Sequence, residues 1–192
     1  LRQTIDPSNN TELADKLLEA RDKMRSRLDD ANIADFVEPF NSEKFNSNAS
    51  VAENILFGTP VGELFEVENL GNNEYVMGLL EKVGLRDEFI RKGQRLAEIM
   101  VDLFQWLPAD HEFWEKFSFI GPDDLPEFQA VLKRVAENGL EKLSEEDESL
   151  LVELPFKLIP ARHHLGLVDD EFEARILEAR KEFSENLPEN LV

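Results

Sequence analysis

The chain has 192 residues, of which 42% are apolar and 14 are Phe, so it can fill a hydrophobic core and does not read as an intrinsically disordered sequence. Its 41 acidic residues against 21 basic ones leave a net charge of −20, which opposes docking on nucleic-acid phosphates or anionic lipid, and the lack of cysteine excludes a disulfide-stapled fold and thiolate chemistry. Apolar runs are only a few residues long, too short to span a bilayer, and Leu1, with no charged or apolar leader segment after it, reads as the start of a piece of a longer protein.

Thr11 to Leu28 opens the chain as an amphipathic helix, with Leu13, Leu17, Met24 and Leu28 on one side, Leu18 and Ala20 beside them, and charges elsewhere. Ala31 to Asn48 mixes Phe36, Val37, Phe40 and Phe45 with Asn, Ser and Pro39, which predicts a loop pinned by aromatics. Ser50-Val-Ala-Glu53 is a capping-box pattern that starts a helix through Phe57, and Gly58, Pro60 and Gly62 end it. A polar linker is expected around Gly71 to Asn73. Tyr75 to Val83 then forms a helix closed by Gly84. Arg86 to Leu107 predicts a long helix with Phe89, Ile90, Leu96, Ile99, Met100, Leu103 and Phe104 inward, bent or split at Gly93. Further helices are expected at Glu112 to Phe117, Leu125 to Glu137, Ser144 to Leu154 and Asp170 to Leu187, with Pro108, Pro122, Pro155 and Pro160 marking the breaks. Phe156 to Ile159 alternates only weakly, and a lone strand leaves its backbone unpaired. The reading is an all-α fold: an irregular multi-helix bundle with at most one short strand or hairpin, forming a single domain over residues 1–192.

Self-comparison places Leu18-Glu-Ala-Arg21 on Leu177-Glu-Ala-Arg180, Glu12 on Glu171 and Leu28 on Leu187. Leu13, Leu17 and Met24 fall on Phe172, Ile176 and Phe183, so the apolar face persists where the residue changes. With one residue deleted, Asn32-Ile33 also falls on Asn190-Leu191. Residues 11–33 and 170–192 are therefore either an internal repeat or two Glu/Arg-rich helices that converge by composition. If the repeat is real, another loop like Asn41 to Gly58 is expected beyond the second copy.

Ser50-Val-Ala-Glu-Asn-Ile-Leu-Phe-Gly58 resembles the segment after the Q-loop in ABC transporter ATP-binding domains, where Thr-Ile-x-Glu-Asn-Ile-x-Phe-Gly recurs. Leu79-Leu-Glu-Lys-Val-Gly-Leu-Arg-Asp-Glu-Phe-Ile90 is similar to the family's next stretch, which leads to an Asp-x-Phe-Ile phrase. The matches span roughly Phe45 to Gly93, about a quarter of the chain. The whole resembles a helical insertion in the nucleotide-binding region of bacterial ATPase and permease fusions. That resemblance implies a place at the cytoplasmic face of the membrane, with ATP and magnesium bound elsewhere in the parent protein. It also implies contact with the rest of the transporter chain and its transmembrane domains. Carried over by position, Glu53, Asn54, Ile55 and Phe57 are candidates for that contact, with Ser50 capping the helix that presents them; core packing is the other role open to Ile55, Leu56 and Phe57.

The departures bear on chemistry. None of Gln3, Gln94, Gln105 and Gln129 stands about a dozen residues before Glu53, where the family's Q-loop glutamine belongs. No Gly-x-x-x-x-Gly-Lys-Ser/Thr phosphate cradle, Leu-Ser-Gly-Gly-Gln signature or Walker B pair is present either. No catalytic residue, cofactor or metal ligand is assigned to this chain. His163 and His164 are adjacent and diverge on a helix, so they do not chelate one ion; capping, surface or interface roles suit them better. Glu141 to Glu153 lacks the glycine and spacing of an EF-hand and reads as a solvated helix face. Phe104, Trp106, Phe113, Trp114, Phe117, Phe119 and Phe128 form a dense aromatic group open to either core or interface use, and Trp106 and Trp114, which flank Pro108, join the candidate contact residues. The function expected is a non-catalytic helical module of an ABC transporter ATPase that couples or regulates transport through protein contacts. A stand-alone acidic helical interaction module is the alternative.

Overall fold

The computed structural model describes residues 10–30, 41–58, 63–114 and 118–188. Two compact units divide the chain, Leu1–Phe40 and Asn41–Val192. In the first, helix α1 (Thr11–Asp30) carries Glu12–Lys16 and Glu19–Lys23 pairs at i, i+4, and none of its residues is buried. The expected aromatic loop falls partly on residues 31–40, outside the described residues, as do Pro60, Gly62 and Asn190-Leu191.

The described residues of the second unit form helices joined by turns and loops, with no strand among them. Its helices are α2 (Val51–Leu56), α3 (Glu74–Lys82), α4 (Arg86–Phe104), α5 (Leu125–Asn138), α6 (Glu145–Phe156), α7 (Pro160–His163) and α8 (Asp170–Asn186). 3-10 helices occupy Glu63–Phe65, Val67–Asn72 and Leu140–Lys142, the middle one about two turns long. The helix starts follow capping chemistry. Ser50, Asn73, Ser144 and Asp169 each accept the backbone N–H three residues on, satisfying a donor the helix cannot. Gly84 sits at φ 68° after α3, the left-handed conformation that closes a helix without a Cβ penalty.

The second unit is organised by one dominant pair: α4 lies along α6, α5 packs on α4, and α8 covers α2 and α3. The rings of Phe156 and Phe172 flank Phe89 at centroid distances of 4.8 and 5.7 Å, and all three are fully buried.

Three expectations change in detail. α4 is continuous through Gly93, because the glycine serves packing instead of bending: a Cβ there would stand 1.9 Å from the Leu151 carbonyl oxygen of α6. α6 runs on through Pro155, which lies in its last turn, where the lost N–H deprives only the Leu151 carbonyl of its partner four residues on. The proline and the glycine thus meet at one carbonyl, with a Cα–H of Gly93 facing the oxygen that Pro155 leaves open. Finally, Gly71 is no linker residue but is buried in the 3-10 helix that packs on α6. Phe156 to Ile159, the weak strand candidate, is the end of α6 and a turn whose Leu158 carbonyl accepts the Val51 N–H at 2.9 Å.

Candidate functional site

The phrase Ser50 to Gly58 is built around a buried polar junction. The Ser50 hydroxyl accepts the Glu53 N–H at 3.1 Å while the Glu53 carboxylate accepts the Ser50 N–H at 2.8 Å, the reciprocal capping box. Val51, Ala52 and Ile55 face the core and are fully buried. Asn54 is buried too, and its amide is spent within the chain: Nδ2 donates to the Asn46 and Ser50 carbonyls at 3.0 and 2.9 Å, and Oδ1 accepts the Asn46 N–H at 2.8 Å.

Arg180 of α8, only 3% exposed, completes the junction. Its Nε donates to the Asn54 carbonyl at 2.6 Å and Nη2 to Asn54 Oδ1 at 2.8 Å. Nη1 reaches the carbonyls of Asn41, Ser42 and Lys44 at 3.1, 2.8 and 2.9 Å. Two hydrogens on that nitrogen serve three acceptors, so one is shared. The Phe57 ring, whose residue ends α2 in the left-handed conformation, lies 5.0 Å from the guanidinium carbon. Burial pushes the guanidinium below its ordinary pKa, with the Glu43 charge opposing, but an arginine holds its proton in any such site. The junction is a socket of main-chain oxygens that fixes α8 to the loop before α2. It holds no nucleophile and no general base poised over a space.

The accessible part of the candidate set lies elsewhere. The end of α4 contributes Met100, Leu103 and Phe104 to an apolar groove of about 470 Å³, which Leu107 and Phe113 of the following turn, Phe119, and Arg162, His163 and Leu165 also line. Leu103 is 61% exposed, Phe113 is substantially exposed, and Trp106, next to Leu107 in the chain, is 83% exposed. Trp114 is instead internal: its indole N–H donates to the Pro108 carbonyl at 3.0 Å and its ring packs tilted against Phe104 at a centroid distance of 4.8 Å, which anchors the turn that carries Trp106. His163 packs edge-on to Phe119 at 4.5 Å, and its Nδ1 accepts the Ile159 N–H at 2.9 Å, which requires the unprotonated nitrogen. Burial, with help from the Arg162 and His164 charges, depresses its pKa.

The structure therefore separates the candidate contact residues. Asn54, Ile55 and Trp114 are interior, Glu53 is engaged in its capping box, and Phe57 and Trp106 present rings to solvent. Phe104, Phe119 and Phe128 of the aromatic group are core; Phe117 lies outside the described residues. The groove was missed from sequence because its walls come from segments some sixty residues apart, and only the Trp106–Pro108–Trp114 spacing signalled it. His164 closes α7 in the left-handed conformation. The acidic stretch is partly structural: Asp147 is buried and pairs with Arg134, Glu148 pairs with Arg86 at 2.6 Å, and Glu153 with Lys157 at 2.5 Å. No helix among the described residues is long and apolar enough to cross a membrane, and no group of three or more His, Asp or Glu among them is placed to hold a metal ion. No protein family, curated protein or solved structure matches the chain.

Proposed function

We propose that this chain is a non-catalytic helical interaction module that works through protein contacts at the Trp106 groove. On the resemblance of Ser50–Gly58 and Leu79–Ile90 to ABC transporter ATPases, we further propose that it couples or regulates ATP-driven transport by contacting the transmembrane domains. The observation that carries the reading is the exposed indole of Trp106, on a turn anchored by Trp114 and next in the chain to Leu107, which lines an apolar groove. Large aromatics in such settings dominate interface energetics, and apolar patches left in water by a soluble face mark binding sites. A module of this kind transmits a conformational change only if it contacts its partner differently in two states.

The test is Trp106→Ala in the intact transporter. Trp106 is 83% exposed, so the variant is expected to fold normally while substrate-stimulated ATP hydrolysis falls relative to basal hydrolysis. Unchanged coupling overturns the assignment of this face, and saturable binding of magnesium-ATP by the chain alone, measured by calorimetry, overturns its non-catalytic character.

A second reading, an acidic interaction module unrelated to transport, is favoured by the interior use of the Glu-Asn-Ile phrase. Asn54 and Ile55 have structural work to do whether or not a transporter is present.

A further inference from the structure

The buried face of α8 consists of Phe172, Ile176, Ala179, Arg180 and Phe183. At an offset of 159, which carries Arg21 onto Arg180, the matching residues of α1 are Leu13, Leu17, Ala20, Arg21 and Met24. Every buried position of α8 is thus apolar or identical in α1, and the one buried charge is kept as the same residue. The coincidence is selective. Among the described helices, Arg21 and Arg180 are the arginines with apolar residues eight, four and one positions before them and three after them on the same helix. In α8 that arrangement has a physical purpose. The apolar residues seat the helix on α2 and α3, and the guanidinium enters a socket of carbonyl oxygens that only a hydrogen-bonding cation satisfies. In α1 the same arrangement is exposed: Leu13, Leu17 and Met24 stand 45%, 49% and 61% exposed.

We propose that α1 is a second copy of α8 and that its apolar face docks in a socket of the same construction, on a further copy of this helical unit preceding α1 in the polypeptide. Charge complementarity names the occupant, because Arg21 calls for converging carbonyls like those of Asn41, Ser42, Lys44 and Asn54. Chain order places it. A closing helix of this type follows its socket, as α8 follows Asn41–Asn54, so a helix of the same type ahead of that loop belongs to the unit before. The socket in this chain is filled by α8, whose Phe172 and Phe183 rings meet Phe89, Tyr75 and Phe65. The smaller Leu13 and Met24 fit a socket with larger residues opposite them.

The test transplants the helix. In the full chain, residues 170–187 are replaced by the sequence of residues 11–28 and compared with a control carrying only Phe172→Leu, Ile176→Leu and Phe183→Met. The transplant is expected to unfold cooperatively within about 5 °C of the control, and adding Arg180→Ala to it is expected to lower the midpoint as much as in the wild-type chain. A transplant that does not fold, or that ignores the arginine, overturns the proposal, as does a control that does not fold, since α1's apolar set then cannot close such a socket. Two further measurements fix the occupant. The polypeptide encoded ahead of Leu1 is expected to carry the counterpart of Asn54 at the same separation of 126 residues before Arg21; its absence overturns the tandem arrangement. Concentration-dependent dimerisation of the wild-type chain that Leu17→Asp abolishes assigns the face to a second molecule instead, and also overturns it.

Discussion

Replacing Arg180 with alanine removes the cation from a pocket of oxygens. Five donated hydrogen bonds are lost at once, and the carbonyls of Asn41, Ser42, Lys44 and Asn54 are left facing one another with Asn54 Oδ1 among them. Hydrogen bonds to charged groups contribute about 1.5–3 kcal/mol each when counted singly, but these share one side chain and one desolvation cost and do not add. A buried charged network broken from one side typically loses about 3–5 kcal/mol, and that is the expected destabilisation. For a chain of this size it corresponds to a fall in melting temperature of roughly 6–20 °C. Equilibrium unfolding in urea, followed by circular dichroism, reads the loss. Arg180→Lys keeps the charge but lacks the planar fork that reaches Asn54 and the Asn41–Lys44 turn together, so it recovers only a minor part. A double-mutant cycle with Asn54→Ala isolates the contact and should show a coupling of about 1–3 kcal/mol. A loss below about 1 kcal/mol for Arg180→Ala, or simple additivity with Asn54→Ala, refutes the account of the junction as the fastener of α8.

Gly93→Ala puts a methyl group 1.9 Å from the Leu151 oxygen, a collision with main chain that no rotamer relieves. We expect destabilisation at or above the upper end of overpacking, about 3 kcal/mol, whereas Gly78→Ala, where a Cβ meets nothing within 4 Å, should leave stability unchanged or raise it slightly. His163 has its pKa lowered on folding, so the unfolded chain binds the proton more readily; its contribution is full above about pH 6.5 and is lost as pH falls through the folded value. His163→Asn keeps an acceptor near Ile159 without titrating, and its stability should fall less steeply between neutrality and pH 5 than that of the wild type; parallel profiles would contradict the assignment. Asp147 has its carboxyl held below the usual range, chiefly by the Arg134 hydrogen bonds at 2.7 and 2.5 Å. That stabilisation is present above the unfolded pKa and disappears as pH falls through the folded one, so Asp147→Asn should remove part of the acid sensitivity measured by thermal melts below pH 4.

Much of the helix inventory was legible because its signals are local. Ser50 with Glu53, Ser144 and Gly84 act within four residues of themselves, and the apolar spacing of α4, α5 and α8 reports which face is buried without knowledge of what buries it. What failed was anything set by a distant partner. Gly93 reads as a weak point in a helix until α6 is laid against it. Arg180 sits in a Glu/Arg-rich stretch that reads as a solvated surface, and no local rule says that one of its arginines turns inward to meet Asn54, 126 residues earlier. Trp106 and Trp114 are equivalent as sequence; a hydrogen bond to the Pro108 carbonyl and tilted packing against Phe104 put one inside and leave the other out. The match of residues 11–33 to 170–192 was the one long-range pattern visible in the sequence, and read as composition alone it points to no tertiary contact.

The contact between α4 and α6 at Gly93 is made by backbone on both sides. Side-chain contacts yield by rotamer changes, so helices joined through them can creep past one another under load; peptide groups in register cannot. At Gly93 the two helices should therefore move as one, so a push received near Trp106 and passed along α4 would be shared with α6 at that point.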